Sequence, residues 1–362
     1  MKSRTSTWLT AHLSPIVICA LFCIAMAVAA CGDRGGRLGE DRDALRRNAL
    51  VSGRVIADST GKEWEILWKY VGGTPASLLP FPTNLVVRDS GVYVLDQVRG
   101  QVVRFDVKSG KPSWVWPDST PRGVLSSATA IAGRADAGIV ILESLPTRLT
   151  AMSSSGELIK RMMLSPFARA NNICALSDGS YIVATGEERG QLARIDSAGN
   201  TVERSELPFD SLVNVRPLAK QFVLASDPAG GGCWIALTLG VGFAHLTPSG
   251  VATTSKFVEP MSLPETRVHR DSSMGKITTT EQLSRLQIAV SGIVGTNTEL
   301  AIAFGGRSKL QGRLIDLYDT SGSYKRSLVF PAMIKGIGRF RDLYIILAEM
   351  DGAPTLIAAR HP

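Results

Sequence analysis

Histidine is scarce in this chain, with four in 362 residues. His245, His269 and His361 stand at no spacing that zinc ligands use, which argues against a histidine-built metal centre. Long apolar runs are also missing. The uncharged stretch Ile16 to Ala30 falls short of the roughly 20 residues that a bilayer-spanning helix needs. No G-x-S-x-G elbow precedes a helix, so a serine hydrolase has no support. Gly72-Gly73 and Gly230-Gly231-Gly232 lack the lysine and the strand–helix setting of a phosphate loop, and they read as turns. Long amphipathic helical stretches are nearly absent. The basic excess is modest, 40 Lys+Arg against 32 Asp+Glu. No dense basic stripe interleaved with aromatics exists, and a nucleic-acid partner is therefore not expected.

The N-terminus carries an address. Lys2 and Arg4 precede the short apolar stretch, and small residues close it at Val28-Ala29-Ala30-Cys31-Gly32. A positive start, a short apolar segment and small residues before a cut describe an export signal. The closing residues resemble the bacterial lipobox, in which a cysteine thiol takes a diacylglycerol and becomes the new N-terminus. This reading makes residues 1–30 a lipoprotein signal peptide, Cys31 the lipidated residue and residues 31–50 a polar tether. The protein would be held at a membrane without spanning it, on the periplasmic or outer-surface side of a bacterial envelope, since several acyl chains retain far better than one. With Cys19 and Cys23 removed alongside the signal, Cys174 and Cys233 remain. An exported compartment permits a disulfide. Their apolar neighbours, Ile173 and Ala175, Trp234 and Ile235, argue instead for two small buried side chains.

From Val51 the pattern changes to short apolar runs between Gly, Asp, Asn, Ser and Pro turns, as strands require. Runs that begin near Tyr93, Ile139, Tyr181, Trp234, Leu300 and Tyr344 are each followed by a second run, and in the first five repeats by a turn ending in Gly. A recurring unit of this length with four short strands predicts a propeller. The fold expected is all-β: a six-bladed β-propeller of four-stranded antiparallel blades over residues 51–362. The last repeat stops after its third strand, around Leu356–Arg360, whereas Glu65–Val71 reads as a strand without a repeat. That strand is expected to complete the last blade and close the ring, because a ring joined only by loops leaves its terminal blades free to separate.

The runs GVYVLDQVRGQVVRFDVKSGK (91–111) and GRLIDLYDTSGSYKRSLVFP (312–331) resemble blades of NHL-type and related six-bladed propellers. DSTGKEWEILWKYVGG (58–73) is similar to exported bacterial members of that group. The resemblance implies architecture, and it implies little about activity because this architecture hosts many activities.

Ligands of such folds sit at the central channel, lined by the first strand of each blade. Thr83-Asn84, Thr129, Asn171-Asn172, Asn214 and Ser291 lie in the expected first strands. The fold is similar to gluconolactonase-like enzymes, which hold a divalent cation there with one Glu and several Asn or Asp. Asn84, Asn172 and Asn214 could supply part of such an oxygen set. No Asp or Glu stands with them on a first strand, so these asparagines are read as channel-facing binding candidates or as caps of inner strand ends. No metal or other cofactor is expected. Asp96 and Glu143 are expected to secure turns, and Asp106, Asp196 and Asp319 to form Asx-turns. Trp64, Trp68, Trp114, Trp116 and Trp234 are read as strand packing, with Trp114 and Trp116 also placed to stack on a sugar or peptide. A polar insertion at about 259–285 interrupts the repeats, with Thr280–Leu283 able to start a helical turn. Insertions in repeat arrays map to one face. The expected role is a non-catalytic binding or scaffold module for a protein, peptide or glycan, and the alternative is a calcium-dependent hydrolase or lactonase in the channel.

Overall fold

The computed structural model describes residues 53–56 and 64–361, apart from 75, 118–124, 126, 165–169, 188–190, 208, 210–220, 229–230, 251, 274–275, 285–286 and 307–309. Residues 1–30, expected to be a signal peptide, Cys31, residues 31–50, expected to be a tether, and Asn214 lie outside the described residues.

Six four-stranded antiparallel sheets follow one another along the chain. β1 (Glu65–Val71) comes first and is used last. Blade 1 is β2 (Pro82–Arg88), β3 (Gly91–Asp96), β4 (Gln101–Asp106) and β5 (Pro112–Trp116). Blade 2 is β6 (Ala128–Gly133), β7 (Ile139–Ser144), β8 (Thr147–Met152) and β9 (Leu158–Met163). Blade 3 is β10 (Asn172–Ala175), β11 (Tyr181–Ala184), β12 (Leu192–Ile195) and β13 (Thr201–Ser205). Blade 4 is β14 (Phe222–Ser226), β15 (Cys233–Leu237), β16 (Gly242–Leu246) and β17 (Ala252–Lys256). A separate hairpin follows, β18 (Glu265–Ser273) and β19 (Lys276–Ser284). Blade 5 is β20 (Val290–Gly295), β21 (Glu299–Phe304), β22 (Leu314–Asp319) and β23 (Tyr324–Val329). Blade 6 is β24 (Met333–Phe340), β25 (Leu343–Met350) and β26 (Ala353–Arg360), with β1 as its outer strand.

The core is divided into six apolar clusters, one between each pair of neighbouring blades. Each blade is covered on both faces, which is why its second strand is a continuous apolar run rather than an alternating one. Tyr93, Val94 and Leu95 of β3 and Ile345, Ile346 and Leu347 of β25 are all buried. The innermost strands touch in sequence around the ring, and β24 meets β2 to complete it. Glycines permit this closeness. A Cβ on Gly338 would stand 2.5 Å from Val87 Cγ2 and 2.8 Å from Leu85 Cδ1.

Ring closure follows the expectation. β1 pairs antiparallel with β26, from Glu65 opposite Arg360 to Val71 opposite Thr355. Trp68 of β1 and Trp64 just before it tie the last blade to both neighbours. Trp64 Nε1 donates to Val329 O at the end of blade 5 (2.7 Å), and Trp68 Nε1 donates to Val107 O of blade 1 (2.9 Å). A second clasp lies just upstream. Ile56 bridges Ser327 of β23. Arg54, 5% exposed, enters the space between blades 4 and 5, where it meets Asp316 and Glu259 and covers the ring of Phe304. Burial opposes the Arg54 charge, but the hydrogen bonds and field of the two carboxylates raise its pKa further.

Three expectations need correction. Cys174 and Cys233 are not separate thiols. They form a disulfide that staples β10 to β15, with Cα atoms 6.2 Å apart. Both are buried in the same inter-blade cluster, so their apolar neighbours reflect where the bond sits. The insertion contains no helical turn at Thr280–Leu283, because those residues belong to β19. Thr278-Thr279-Thr280 is a β-branched run whose stiff χ1 favours a strand. The innermost strand of blade 4 is Phe222–Ser226, downstream of Asn214.

Candidate functional site

Antiparallel meandering gives the propeller two distinct faces. The upper face carries the starts of the first strands, the turns between second and third strands, and the β18–β19 hairpin. The lower face carries the turns between first and second strands.

At the upper mouth of the channel, four of the six innermost strands break register at the same point. The breaks lie between Pro82 and Asn84, Ala128 and Ala130, Val290 and Gly292, and Ile334 and Gly336. Each leaves one residue out of the ladder: Thr83, Thr129, Ser291 and Lys335. A bulge re-aims the side chain it carries. In blades 3 and 4 the equivalent residues immediately precede the strand. Asn171 N donates to Ala184 O (3.0 Å), and Gln221 O accepts from Thr238 N (2.9 Å). The repeated geometry sets a ring of three hydroxyls, two amides and one ammonium.

Some of these groups are already engaged. Thr129 Oγ1 bonds Leu142 O and Ala170 O, both at 3.3 Å, and so links blade 2 to blade 3. Lys335 is exposed, with Nζ 3.2 Å from a carboxylate oxygen of Glu349. Asn171 Oδ1 is buried and meets no hydrogen-bond donor among the described residues. Of the asparagines singled out from sequence, Asn172 is buried and occupied. Its Nδ2 donates to Phe222 O (3.1 Å) and its Oδ1 accepts from Ile173 N (2.9 Å), so it braces neighbouring inner strands. Asn84 is half-buried on β2, one position past the bulge. The structure therefore brings together Thr83, Thr129, Asn171 and Ser291 and adds Gln221 and Lys335. The signal for Lys335 was a lone charge inside the apolar run Met333–Ile337.

The remaining charged candidates are structural. Asp96 accepts from Phe81 N (2.9 Å) and Arg99 N (3.0 Å), fixing two turns of the upper face. Glu143, fully buried, faces Arg148 across the β7–β8 hairpin. It receives Arg148 through two hydrogen bonds, 2.7 and 2.6 Å, and Thr150 Oγ1 at 2.8 Å, and this pairing raises the Arg148 pKa. Asp106, Asp196 and Asp319 form the expected Asx-turns, accepting from Ser109 N, Ala198 N and Ser321 N. Hydrogen bonds from the Ser321 and Lys325 side chains and the Ser323 backbone hold the Asp319 carboxyl far below the usual carboxylate range. Trp114 spans two blades, with its Nε1 on Ser154 O (3.1 Å), and Trp116 lies under Arg161. Both pack between blades 1 and 2.

Large apolar side chains rim the same upper face. Val98 is 70% exposed, Leu145 59% and Phe81 56%, values high enough to mark them as uncovered. Their backbones are fixed: Phe81 and the Val98 turn by Asp96, and Leu145 by Ser127 Oγ, which accepts from Leu145 N at 2.8 Å. The hairpin projects from the connection between blades 4 and 5, pairing from Glu265 opposite Ser284 to Ser273 opposite Lys276, with neither strand paired to a blade. Among the described residues, no three His, Cys, Asp or Glu side chains gather as metal ligands would.

No protein-family model and no curated protein matches the chain. Solved structures do. Virginiamycin B lyase from Staphylococcus aureus is 12% identical, over 83% of this chain and 100% of that one, with a TM-score of 0.52. A catalytically inactive histidine-to-alanine form of that lyase, crystallised with quinupristin, is 14% identical over 76% and 80%, with a TM-score of 0.50. A Bacteroides fragilis protein described as exported is 9% identical over 83% and 95%, with a TM-score of 0.52. These likenesses establish a shared β-propeller fold and nothing finer. The class of the protein is thus an all-β, six-bladed propeller closed by its own N-terminal strand.

Proposed function

We propose that the chain is an exported, lipid-anchored propeller of a bacterial envelope that acts as a non-catalytic binding or scaffold module, holding its partner at the upper face. One observation carries the reading: that face combines a polar ring at the channel mouth, fixed and exposed Phe81, Val98 and Leu145, and a hairpin with unpaired strand edges. Exposed apolar groups beside open strand edges favour a protein or peptide over a glycan. The Cys174–Cys233 disulfide supports export, since such bonds persist in oxidising compartments. The lipobox-like Val28–Cys31 supplies the membrane attachment, with residues 31–50 as tether.

Two experiments test this. A photo-crosslinking residue at Val98 or Leu145 should capture a partner in intact cells, while one at Ser90, exposed in the β2–β3 turn of the lower face, should not. Capture from the lower face alone refutes the assignment. Cys31→Ser should move the protein from the membrane to the soluble fraction, and unchanged membrane retention refutes the anchor. No observation among the described residues favours the calcium-dependent hydrolase or lactonase, and titration of the chelator-treated protein with calcium separates the two readings.

A further inference from the structure

The lower face holds a second site. A cleft of about 340 Å³ lies among the first turns of blades 4, 5 and 6, lined by Pro228, Gly295, Thr296, Asn297, Thr298, Arg339 and Arg341. Its size is at the lower end of the range of small-molecule pockets. Two of the lining residues are arginines and none is acidic.

The two arginines differ. Arg339 is locked: its guanidinium pairs with Glu299, lies 4.8 Å from the centre of the Tyr344 ring, and donates through Nε to Arg341 O (3.1 Å). Arg341 sits in the left-handed region (φ 56°), with its guanidinium 5.3 Å from the Phe340 ring. Its residue is exposed, and no carboxylate among the described residues pairs with it. The acids next in sequence to cleft residues pair elsewhere: Glu299 with Arg339, Asp342 with Arg360 (2.5 Å), and Asp227 with His245 (2.9 Å). A stacked, unpaired guanidinium is a fork ready for a two-oxygen acceptor.

Blades 4 and 5 approach closely beside the cleft. Gly295 has no side chain there, and a Cβ would stand 3.0 Å from both Cδ1 and Nε1 of Trp234. Trp234 is 4% exposed and is held by its stacking on His245 at 4.3 Å.

We infer that this cleft binds an oxyanion, a phosphate or carboxylate group, with the Arg341 guanidinium as its principal ligand. The site is independent of the upper-face reading, and either can fail without the other. The test uses the folded mature chain and three probes: inorganic phosphate, glucuronate, and phosphatidylglycerol vesicles with phosphatidylcholine vesicles as control. Calorimetry should detect at least one anion, with Arg341→Met weakening it ten-fold or more. Lys69→Met, exposed on the outer strand of blade 6, should leave it unchanged. Binding of phosphate or glucuronate assigns a soluble ligand, and binding of the anionic vesicles alone assigns a lipid headgroup. Absence of binding to all three, or binding that Arg341→Met leaves intact while the melting temperature is unaltered, overturns the proposal.

Discussion

Removing the Arg54 guanidinium should unfasten the N-terminal clasp. The side chain is almost fully buried and is the partner of two carboxylates, Glu259 and the fully buried Asp316, to which it donates at 3.2 and 2.7 Å. Arg54→Ala takes the guanidinium from both acids in an inter-blade space and leaves Asp316, among the described residues, with Ser327 Oγ at 2.6 Å. Breaking a buried ion pair by removing one partner costs about 3–5 kcal/mol, because the abandoned charge still lacks solvent. At roughly 2–4 °C per kcal/mol for a large domain, that is a fall in Tm on the order of 10 °C. Replacing all three groups together, Arg54→Met with Asp316→Leu and Glu259→Leu, removes the desolvation problem and should restore stability to within about 1–2 kcal/mol of the parent. Urea unfolding followed by tryptophan fluorescence measures both. A single variant as stable as the parent would refute the reasoning, as would a triple variant no better than the single.

The disulfide closes a loop with a sequence separation of 59, so reduction should cost about 4 kcal/mol if the cross-link acts on the unfolded chain. Urea midpoints with and without dithiothreitol check this, and alkylation of both cysteines before reduction would contradict the bond. Gly338→Ala should destabilise by about 1–3 kcal/mol, since its methyl group meets Val87 and Leu85 where inner strands of blades 6 and 1 touch. An unchanged midpoint would show that those strands are looser than described. Hydrogen bonds from the Ser109 and Ser180 side chains depress the Asp106 and Asp178 carboxyls, and Arg134 depresses that of Asp136. The unfolded chain therefore takes up protons at a higher pH than the folded one. Their contribution is complete above about pH 4 and drains away as pH falls through the folded-state values, which melting curves between pH 6 and 2 would show.

The blades were legible because every second strand is buried on both sides and must be apolar throughout, while every turn after a third strand needs Asp, Ser or Gly. Glu65–Val71 was legible for a related reason: it had strand composition and no repeat to belong to. The channel ring was half legible. Thr83, Thr129, Asn171 and Ser291 could be placed near inner strand starts, yet only the bulges separate Thr83 from Asn84, and no linear pattern encodes a bulge at those positions. The Cys174–Cys233 bond depends on β10 and β15 meeting across a blade interface, a non-local fact hidden behind apolar neighbours. Arg54 was invisible because its partners lie 205 and 262 residues away.

Ring closure by the chain's own beginning is tested most directly by amide hydrogen exchange on the folded protein. Amides of Glu65–Val71 that bond β26 should be protected together with those of β24, β25 and β26, and all should open in one cooperative step. Exchange of the Glu65–Val71 amides at the rate of an unstructured tail, with β26 still protected, would contradict the account.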